Sequence, residues 1–207
     1  MSPVPPAWIH LRPADYRVMP WKNGLGTTTE IAVEPAGAAL DAFTWRLSVA
    51  DLAASGPFST FPGYDRIIVQ TEGEPMTLIH EGRGRRRLTA LAPYRFDGAW
   101  STRGELAGAS ARDFNVIALR DRVRASAGVH ALWRGRSTRV CAAVEVQVVH
   151  AFRGAITVHG DGGDVELDPG DTLIVAGGEL EIGGSAGTEG PPGEDALAFL
   201  VAFATEK

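Results

Sequence analysis

Short runs of alternating hydrophobic and polar residues dominate this chain, and such runs are typical of half-buried β-strands. Residues 43–50 have the sequence Phe-Thr-Trp-Arg-Leu-Ser-Val-Ala, so one face of the predicted strand is aromatic and aliphatic, whereas Arg46 lies on the other. Glycine and proline separate these runs, with 25 and 13 occurrences, and sustained helical periodicity is almost absent. The pattern predicts an all-β fold.

An internal repeat divides the predicted strands into two sets. Residues 76–98 and 155–175 both follow the order strand, glycine-rich turn, strand, proline turn, strand. The segment Leu167-Asp168-Pro169-Gly170-Asp171-Thr172-Leu173 resembles the second motif of cupins, which are small antiparallel barrels. Two copies predict a bicupin, that is, two antiparallel jelly-roll-type barrels packed as one unit. We expect one barrel over residues 1–125 and the other over residues 126–207.

Composition indicates a soluble globular protein. The chain has 207 residues and is 44% hydrophobic and 22% charged, and its longest apolar runs are far shorter than the ~20 residues of a membrane helix. A net charge of −5 argues against nucleic acid as a partner, because phosphate binding needs a basic face. Residues 1–6 have neither the basic region nor the apolar core of a signal peptide, so we expect a cytoplasmic protein without membrane contact.

Three further segments have simple structural interpretations. The basic run Arg83-Gly84-Arg85-Arg86-Arg87 is expected at a hairpin tip, as a solvated turn or, alternatively, as a contact for a phosphate or a partner. The single cysteine, Cys141, excludes an intrachain disulfide and lies in an apolar run, which predicts a core position. Residues 183–195 are mostly small, and we expect a mobile loop without function.

The polar loop over residues 19–31 is the strongest candidate for a binding site. Its Asn-Gly pair is a strong turn signal, because both residues tolerate positive φ. The tryptophan offers a rigid apolar wall and the lysine a mobile cation, while hydroxyl and carboxylate oxygens follow along the outgoing strand. The alternative is a purely structural hairpin with a core tryptophan. The candidate ligand-binding residues of this loop are Trp21, Lys22, Asn23, Gly24, Thr27, Thr28 and Glu30.

We expect neither a metal nor another cofactor. Many cupins hold a metal with two histidines one residue apart, a glutamate soon after and a third histidine from the other motif. The five histidines of this chain form neither a His-x-His nor a His-x-x-x-His pattern. Ligands that converge from distant strands are the remaining route to a metal site. The histidines are His10, His80, His130, His150 and His159.

Four segments together resemble the HutD/Ves family. They are Met-Pro-Trp-Lys-Asn-Gly-Leu-Gly-Thr-Thr at 19–28, Phe-Thr-Trp-Arg-Leu-Ser-Val-Ala at 43–50, Gly-Pro-Phe-Ser-Thr-Phe-Pro-Gly-Tyr-Asp-Arg at 56–66 and Asp-Phe-Asn-Val at 113–116. The resemblance implies a bicupin fold, an association with bacterial histidine utilisation and no established catalytic activity. Family members are suspected of sensing or buffering a small pathway acid such as urocanate or formylglutamate.

Two positions depart from the family pattern. Leu25 replaces a glycine of the usual Trp-Lys-Asn-Gly-Gly-Gly signature, which narrows the conformations open to the loop. Thr29 stands where arginine is common, and this change removes a cation that a dicarboxylate would use.

Further candidate residues come from the other three matching segments. The two arginines flank the apolar loop 56–62 and can converge with the first and fourth segments. Each candidate also has a structural alternative: an ion pair of Arg46 with Glu30, a strand cap, hydrogen bonds to buried backbone, or an aromatic core position. The additional candidate ligand-binding residues are Arg46, Phe58, Arg66 and Asn115.

The sequence therefore supports a non-metal bicupin that binds a small anionic metabolite of the urocanate or formylglutamate class in its N-terminal barrel and regulates histidine utilisation. Its partner is then a small carboxylate metabolite, and a homodimer is compatible with these features. One alternative is a hydrolase or isomerase acting on a histidine-pathway intermediate, with Glu30 as base and Lys22 as electrostatic stabiliser. Another is a protein-interaction module that docks a partner through an exposed loop 57–62.

Overall fold

The computed structural model describes residues 8–133, 135–140, 144–185 and 196–205. These residues form two compact units. The N-terminal unit comprises residues 16–125, and the C-terminal unit comprises residues 8–15 together with the described part of 126–205. Residues 8–15 thus belong to the C-terminal unit, whereas the sequence grouped them with the first barrel. Cys141 and residues 186–195 of the predicted loop lie outside the described residues.

The described residues form nineteen strands and one short 3-10 helix, Pro13–Asp15. The strands are β1 (Trp8–Leu11), β2 (Arg17–Pro20), β3 (Gly26–Glu34), β4 (Trp45–Leu52), β5 (Gly56–Pro57), β6 (Tyr64–Gly73), β7 (Met76–His80), β8 (Gly84–Arg87), β9 (Tyr94–Asp97), β10 (Thr102–Leu106), β11 (Ala111–Leu119), β12 (Val123–Leu132), β13 (Ser137–Val140), β14 (Val146–Arg153), β15 (Ile156–Gly160), β16 (Gly163–Leu167), β17 (Thr172–Ala176), β18 (Leu180–Gly184) and β19 (Ala196–Thr205). No helix in this part of the chain is long and apolar enough to cross a membrane.

The N-terminal unit consists of two sheets with the strand orders β2-β3-β4-β11-β6-β9 and β5-β10-β7-β8. In the first sheet, β11 lies antiparallel between β4 and β6, so that Ile117 is opposite Arg46 on one side and opposite Arg66 on the other. The core of the unit is an apolar cluster made of Ala50, Leu52, Ile68, Met76, Leu78, Leu88 and Phe96.

Strand β4 is buried on both faces, although its alternation predicted one buried and one polar face. Trp45 and Leu47 are buried on one face, and Arg46 and Ser48 are buried on the other. The strand lies in the interior of the six-stranded sheet, between β3 and β11. Its polar side chains therefore need hydrogen-bond partners within the protein, because a buried polar group without a partner is costly.

The C-terminal unit also consists of two sheets, with the orders β1-β17-β14-β19-β12 and β13-β18-β15-β16. Strand β1 forms the edge of the larger sheet, where Trp8 lies opposite Val175 of β17. This pairing explains why the first described residues belong to this unit. The core cluster comprises Leu132, Val149, Ala151, Ile156, Val158, Leu167, Leu173, Val175, Leu180, Ile182, Ala196 and Ala198.

The two units share one strand order, which accounts for the internal repeat. The series β4-β11-β6-β9 corresponds to β12-β19-β14-β17, and β5-β10-β7-β8 corresponds to β13-β18-β15-β16. The all-β prediction is confirmed. The prediction of two barrels is not confirmed, because no sheet formed by the described residues closes on itself.

Two segments that were predicted as turns or loops extend into strands. The basic run forms strand β8 after Arg83, and its side chains find aromatic partners: Arg83 lies 4.8 Å from the ring centroid of Trp100, and Arg86 lies 5.2 Å from that of Tyr94. At the other segment, β18 continues to Gly184, which pairs with Ile156.

Candidate functional site

The polar loop connects β2 and β3 as a tight hairpin. Gly24 has a φ of 71°, which is the left-handed conformation that the Asn-Gly pair predicted. Its amide donates to the carbonyl oxygen of Trp21 at 3.0 Å, and the Asn23 side-chain oxygen accepts from the amide of Leu25 at 3.0 Å. The turn is thus stabilised by its own hydrogen bonds before any ligand is present.

The indole of Trp21 is fixed in place by two contacts. Its Nε1 donates to the hydroxyl of Thr28 at 2.8 Å. Gly26 lies directly against the ring, and a Cβ at this position would stand 3.2 Å from the ring and 2.4 Å from the carbonyl oxygen of Asp51. Glycine is therefore required at position 26 to let the indole close against the strand.

A cavity of about 550 Å³ opens in the N-terminal unit beside this loop. Every charged side chain among its described lining residues is a cation, namely Lys22, Arg46 or Arg66. Its walls combine these cations with aromatic, aliphatic and hydroxyl groups, which is the usual composition of a small-molecule site. The lining residues are Met19, Pro20, Trp21, Lys22, Asn23, Thr28, Leu40, Arg46, Ser48, Ala50, Pro57, Phe58, Ser59, Phe61, Arg66, Asn115 and Ile117.

Arg46 enters the cavity from β4 with one side of its guanidinium already paired. Its Nε donates to a carboxylate oxygen of Glu30 on β3 at 2.6 Å, and the Arg46 residue is only 5% exposed. Within the described part of the chain this is its one hydrogen bond, so its terminal amino groups remain available as donors. The ion pair that was weighed as an alternative to ligand contact is thus present, and the same arginine still lines the cavity.

Arg66 enters from β6 and is held by an amide. Its Nε and Nη2 donate to Oδ1 of Asn115 at 3.0 and 2.6 Å. Its guanidinium also stacks on Phe58, with Cζ 4.7 Å from the ring centroid, and lies 5.5 Å from the centroid of Phe96. Aromatic faces and the amide oxygen together orient a planar cation toward the cavity.

The amide of Asn115 is itself hydrogen-bonded to a second buried group. Its Nδ2 donates to Oδ1 of Asp113, which is completely buried on the same face of β11. Burial raises the pKa of Asp113 to about 6, an effect that the positive charge of Arg66 partly opposes. The pKa of Arg66 is lowered to about 10, mainly by burial; the negative charge of Asp113 opposes this effect and the positive charge of Arg46 adds to it.

The structure brings most of the predicted site residues together and leaves three outside the cavity wall. Gly24 lies in the turn, Thr27 faces away, and the carboxylate of Glu30 is engaged by Arg46 instead of lining the cavity. Sequence reasoning missed nine of the lining residues, among them Ser48 and Ile117. The positions of these two follow from the register, because Ser48 lies opposite Asn115 and residue 117 opposite both arginines. The predicted residues that line the cavity are Trp21, Lys22, Asn23, Thr28, Arg46, Phe58, Arg66 and Asn115.

A second cavity, of about 520 Å³, opens in the C-terminal unit. It lies on β12, β13, β14 and β19, which are the strands equivalent to β4, β5, β6 and β11. Its lining includes Leu200 and Ala202 on β19 and Gln147 on β14, together with the exposed residues His130 and Arg139. Gln147 is 2% exposed, donates through Nε2 to the carbonyl oxygen of Gly178 at 2.6 Å, and its Oε1 has no hydrogen-bond partner among the residues described.

The described residues contain no group of three or more histidine, cysteine, aspartate or glutamate side chains placed to hold a metal ion. Four of the histidines have side-chain partners: His80 bonds to Thr102 and Tyr94, His150 to Thr172, and His10 and His159 pair with single aspartates. Each of these imidazoles therefore has a local structural partner.

The fold places the chain in the cupin-like class of all-β proteins. A cupin 2 conserved barrel domain protein from Leptotrichia buccalis superimposes with a TM-score of 0.53 over 86% of this chain and 88% of that one, at 9% identity. Within this class the chain belongs to the HutD family, whose model matches residues 13–189. The resemblance to the HutD/Ves family is thereby confirmed.

Individual relatives agree with this assignment. A 21.2 kDa protein from the hutC 3′ region of Pseudomonas putida is 37% identical over 174 residues, which cover 84% of this chain and 89% of the relative. The protein Ves of Cronobacter sakazakii is 38% identical over 56% of this chain and 64% of its own length. The structure of HutD from Pseudomonas fluorescens SBW25 superimposes with a TM-score of 0.80, at 30% identity, over 97% of this chain and 100% of that chain.

Proposed function

We propose that this chain binds a small carboxylate metabolite in the N-terminal cavity and thereby regulates bacterial histidine utilisation, without catalysing a reaction on it. The observation that carries the proposal is the charge of the cavity wall. Arg46 and Arg66 are both buried there, Lys22 stands at the mouth, and the described lining contains no acidic side chain. Buried cations facing a cavity favour an anionic ligand, because the ligand returns part of the solvation that burial removes.

The geometry suits a carboxylate in particular. A guanidinium presents parallel N–H groups that match the two oxygens of a carboxylate, and such charge-assisted pairs are among the stronger hydrogen bonds of proteins. Arg46 keeps its terminal amino groups and Arg66 keeps Nη1 without a hydrogen-bond partner in the described ranges. The indole of Trp21 and the ring of Phe58 supply apolar walls for the remainder of a small planar or aliphatic acid.

The relatives support the connection to histidine utilisation. One relative is named for the hutC 3′ region and another is HutD itself. We therefore propose an acid of the urocanate or formylglutamate class as the ligand, in the cytoplasm.

We also propose that the two units are the two halves of a bicupin. The strand order that they share over β4-β11-β6-β9 and β12-β19-β14-β17, and in their four-stranded sheets, supports this interpretation, as does the likeness to a cupin barrel protein. A bicupin that folds as one cooperative unit unfolds in a single transition, and two separate calorimetric transitions would contradict this part of the proposal.

The two alternative functions find less support in the geometry. Enzymatic use of Glu30 as a base needs its carboxylate at the cavity, but that carboxylate accepts from Arg46 and does not line the cavity. The docking alternative needs an exposed apolar loop 57–62. Pro57, Ser59, Thr60 and Pro62 are exposed, but the two large apolar side chains of the loop, Phe58 and Phe61, are partly buried and line the cavity. A turnover assay on urocanate and formylglutamate with the purified protein tests the enzyme alternative directly.

Ligand-induced thermal stabilisation tests the proposed function. A ligand at about 100 times its Kd stabilises the native state by ~2.7 kcal/mol, which raises the Tm of a chain of this size by roughly 5–10 °C. We expect such a shift with urocanate or formylglutamate, and smaller shifts at equal concentration for Lys22→Ala and Arg46→Met. Glutamate, histidine and formate complete the ligand series. Unchanged shifts in both variants would place the binding site elsewhere in the protein.

A further inference from the structure

We propose that Asp113 positions the ligand-binding groups of the N-terminal cavity, and that binding of a carboxylate at Arg66 is accompanied by uptake of a proton at Asp113. The inference rests on the proposed function, because it needs an anion beside Arg66. Asp113 does not line the cavity itself and acts through Asn115. It is therefore a positioning residue, and its second role is a coupling between ligand and proton.

The positioning role follows from the direction of the hydrogen bonds. An asparagine amide has a donor end and an acceptor end, and its orientation is decided by the partners on each side. The Nδ2 group of Asn115 donates to Asp113, and its Oδ1 therefore faces the guanidinium of Arg66 and accepts from both Nε and Nη2. Without an acceptor at position 113, the amide loses the contact that keeps its oxygen turned toward the arginine.

The coupling follows from how Asp113 is enclosed. It is completely buried, and its Oδ2 has no hydrogen-bond partner among the described residues, so its negative charge is poorly solvated. The charged groups around it are Arg66 on β6, which stabilises the ionised form, and Asp51 on β4, which opposes it and is itself paired with Arg112. More distant are Arg46 and Glu30, which neutralise each other as an ion pair.

An incoming carboxylate changes this balance in one direction. Its negative charge offsets the positive charge of Arg66, which is the group that favours ionised Asp113. The pKa of Asp113, already raised to about 6 in the free protein, therefore rises further in the complex. At a pH between the pKa of Asp113 in the free protein and its higher pKa in the complex, Asp113 is protonated more often in the complex. Binding therefore takes up a proton there, and the affinity for the carboxylate falls as the pH rises from the lower pKa to the higher one.

Calorimetry in two buffers measures this proton directly. Formylglutamate, which has no group that titrates near neutral pH, is titrated into the protein at about pH 6.5 in MES and in Bis-Tris, which both buffer there and have different ionisation enthalpies. The difference in binding heat then gives the number of protons taken up. Urocanate is titrated in the same buffers for its binding heat alone, because its own imidazole ionises near this pH. We expect net uptake by the wild type and none by Asp113→Asn. The matched control is Asp65→Asn, which removes another carboxylate of the same sheet, one that pairs with Arg95 and Arg120 and leaves the Asp113–Asn115–Arg66 chain intact. We expect this variant to retain the uptake.

A measurement without any substitution covers the case in which Asp113→Asn does not fold. In the wild type labelled with carbon-13 at aspartate carboxyls, one buried carboxyl should titrate near pH 6 and move to higher pH on addition of either acid. Binding heat without proton uptake, or a carboxyl midpoint that the ligand leaves unchanged, overturns the coupling and leaves the proposed function standing. If neither acid gives binding heat with the wild type, the proposed function and the coupling are both wrong.

Discussion

The two cavities of this protein lie on equivalent strands but differ in chemistry. In the N-terminal unit, β4, β6 and β11 turn Arg46, Arg66 and Asn115 inward. In the C-terminal unit, the equivalent strands β14 and β19 place Gln147 and Leu200 on the cavity wall, and the arginine among the described lining residues, Arg139 on β13, is exposed instead of buried. The shared strand order therefore fixes where a cavity opens, whereas a few inward-facing side chains decide whether it suits an anion.

Both buried arginines of the N-terminal cavity have a hydrogen-bond partner within the protein. Arg46 has the carboxylate of Glu30 beside it, and Arg66 has Asn115 with Asp113 behind it. Gln147 has a backbone carbonyl oxygen on one side and no partner within the described residues on the other. The anionic and amide groups of the N-terminal unit thus hold the two arginines in place, although two of these groups, Glu30 and Asp113, do not line the cavity.

A buried cation introduced into the C-terminal cavity, where no partner is prepared for it, should have the largest effect of the substitutions that compare the two cavities. We expect Gln147→Arg to lower the free energy of unfolding by about 3–5 kcal/mol, because a buried charge without a counterion is strongly destabilising. The control Gln147→Met removes the amide but adds no charge, and its effect should stay within about 1.5 kcal/mol. Urea denaturation measures both variants. Equal stability of the two would show that an arginine needs no prepared partners in this fold.

The pH dependence of stability should have opposite signs in the two units. Burial raises the pKa of Asp113 from 3.8 to about 6, so the folded protein binds this proton more tightly than the unfolded chain. The stability that the bound proton gives to the folded state is therefore lost as the pH rises from about 4 to about 6. In the C-terminal unit, burial lowers the pKa of His150 from 6.5 to about 4, so the folded protein binds this proton less tightly than the unfolded chain. The contribution of His150 to the free energy of unfolding therefore increases as the pH rises from about 4 to 6.5.

Two variants separate these contributions. When the pH is raised from about 4 to 7, the free energy of unfolding of Asp113→Asn should change by about 3 kcal/mol more favourably than that of the wild type. For His150→Gln, the same change should be less favourable than that of the wild type by a similar amount. Urea denaturation at the two pH values supplies the comparison. Parallel pH profiles for the wild type and both variants would mean that neither group has a perturbed pKa.

The affinity for carboxylate should depend on one unit alone. We expect Arg66→Met to weaken binding of urocanate or formylglutamate by about 10- to 150-fold, because one charge-assisted contact contributes ~1.5–3 kcal/mol. The matched control is Arg139→Met, which removes a cation from the C-terminal cavity and should leave the affinity unchanged. Titration calorimetry distinguishes the outcomes, and a loss of affinity in the Arg139 variant would move the site to the other unit.

Replacement of a tryptophan by phenylalanine should reduce the free energy of unfolding more in the N-terminal unit than in the C-terminal unit, although the difference is small. Trp21→Phe keeps an aromatic wall but removes the hydrogen bond to Thr28, so we expect a loss of about 0.5–1.5 kcal/mol in unfolding free energy. The control is Trp133→Phe at a half-exposed position of the C-terminal unit, where the change should stay within about 0.5 kcal/mol. Similar losses at both positions would mean that the indole hydrogen bond contributes nothing.

Local sequence signals were sufficient for the strands, the repeat and the loop that bears Trp21. The Asn-Gly pair predicted the positive φ of Gly24, and the alternation from Phe43 onward predicted strand β4. Both depend on interactions between neighbours in the chain. The burial of both faces of β4 was missed, because that depends on the sheet position of the strand, which alternation does not encode.

The candidate site was predicted as a set of residues but not as an arrangement. Arg46, Arg66 and Asn115 were expected to converge, and they do. The ion pair of Arg46 with Glu30 was foreseen as an alternative to ligand contact, and the structure shows that the pair forms while Arg46 still lines the cavity. The role of Asp113 beneath the cavity depends on side-chain packing, and its sequence signal was the spacing of two from Asn115, which puts both on one face of a strand.

A crystal structure of the protein with urocanate at saturating concentration tests the central claim most directly. We expect the ligand in the N-terminal cavity, with its carboxylate oxygens within hydrogen-bond distance of Arg46 or Arg66 and its ring beside Trp21 or Phe58. A matching crystal with formylglutamate extends the test to the second acid. An N-terminal cavity without either acid, or a carboxylate bound in the C-terminal cavity instead, would contradict the assignment of the site.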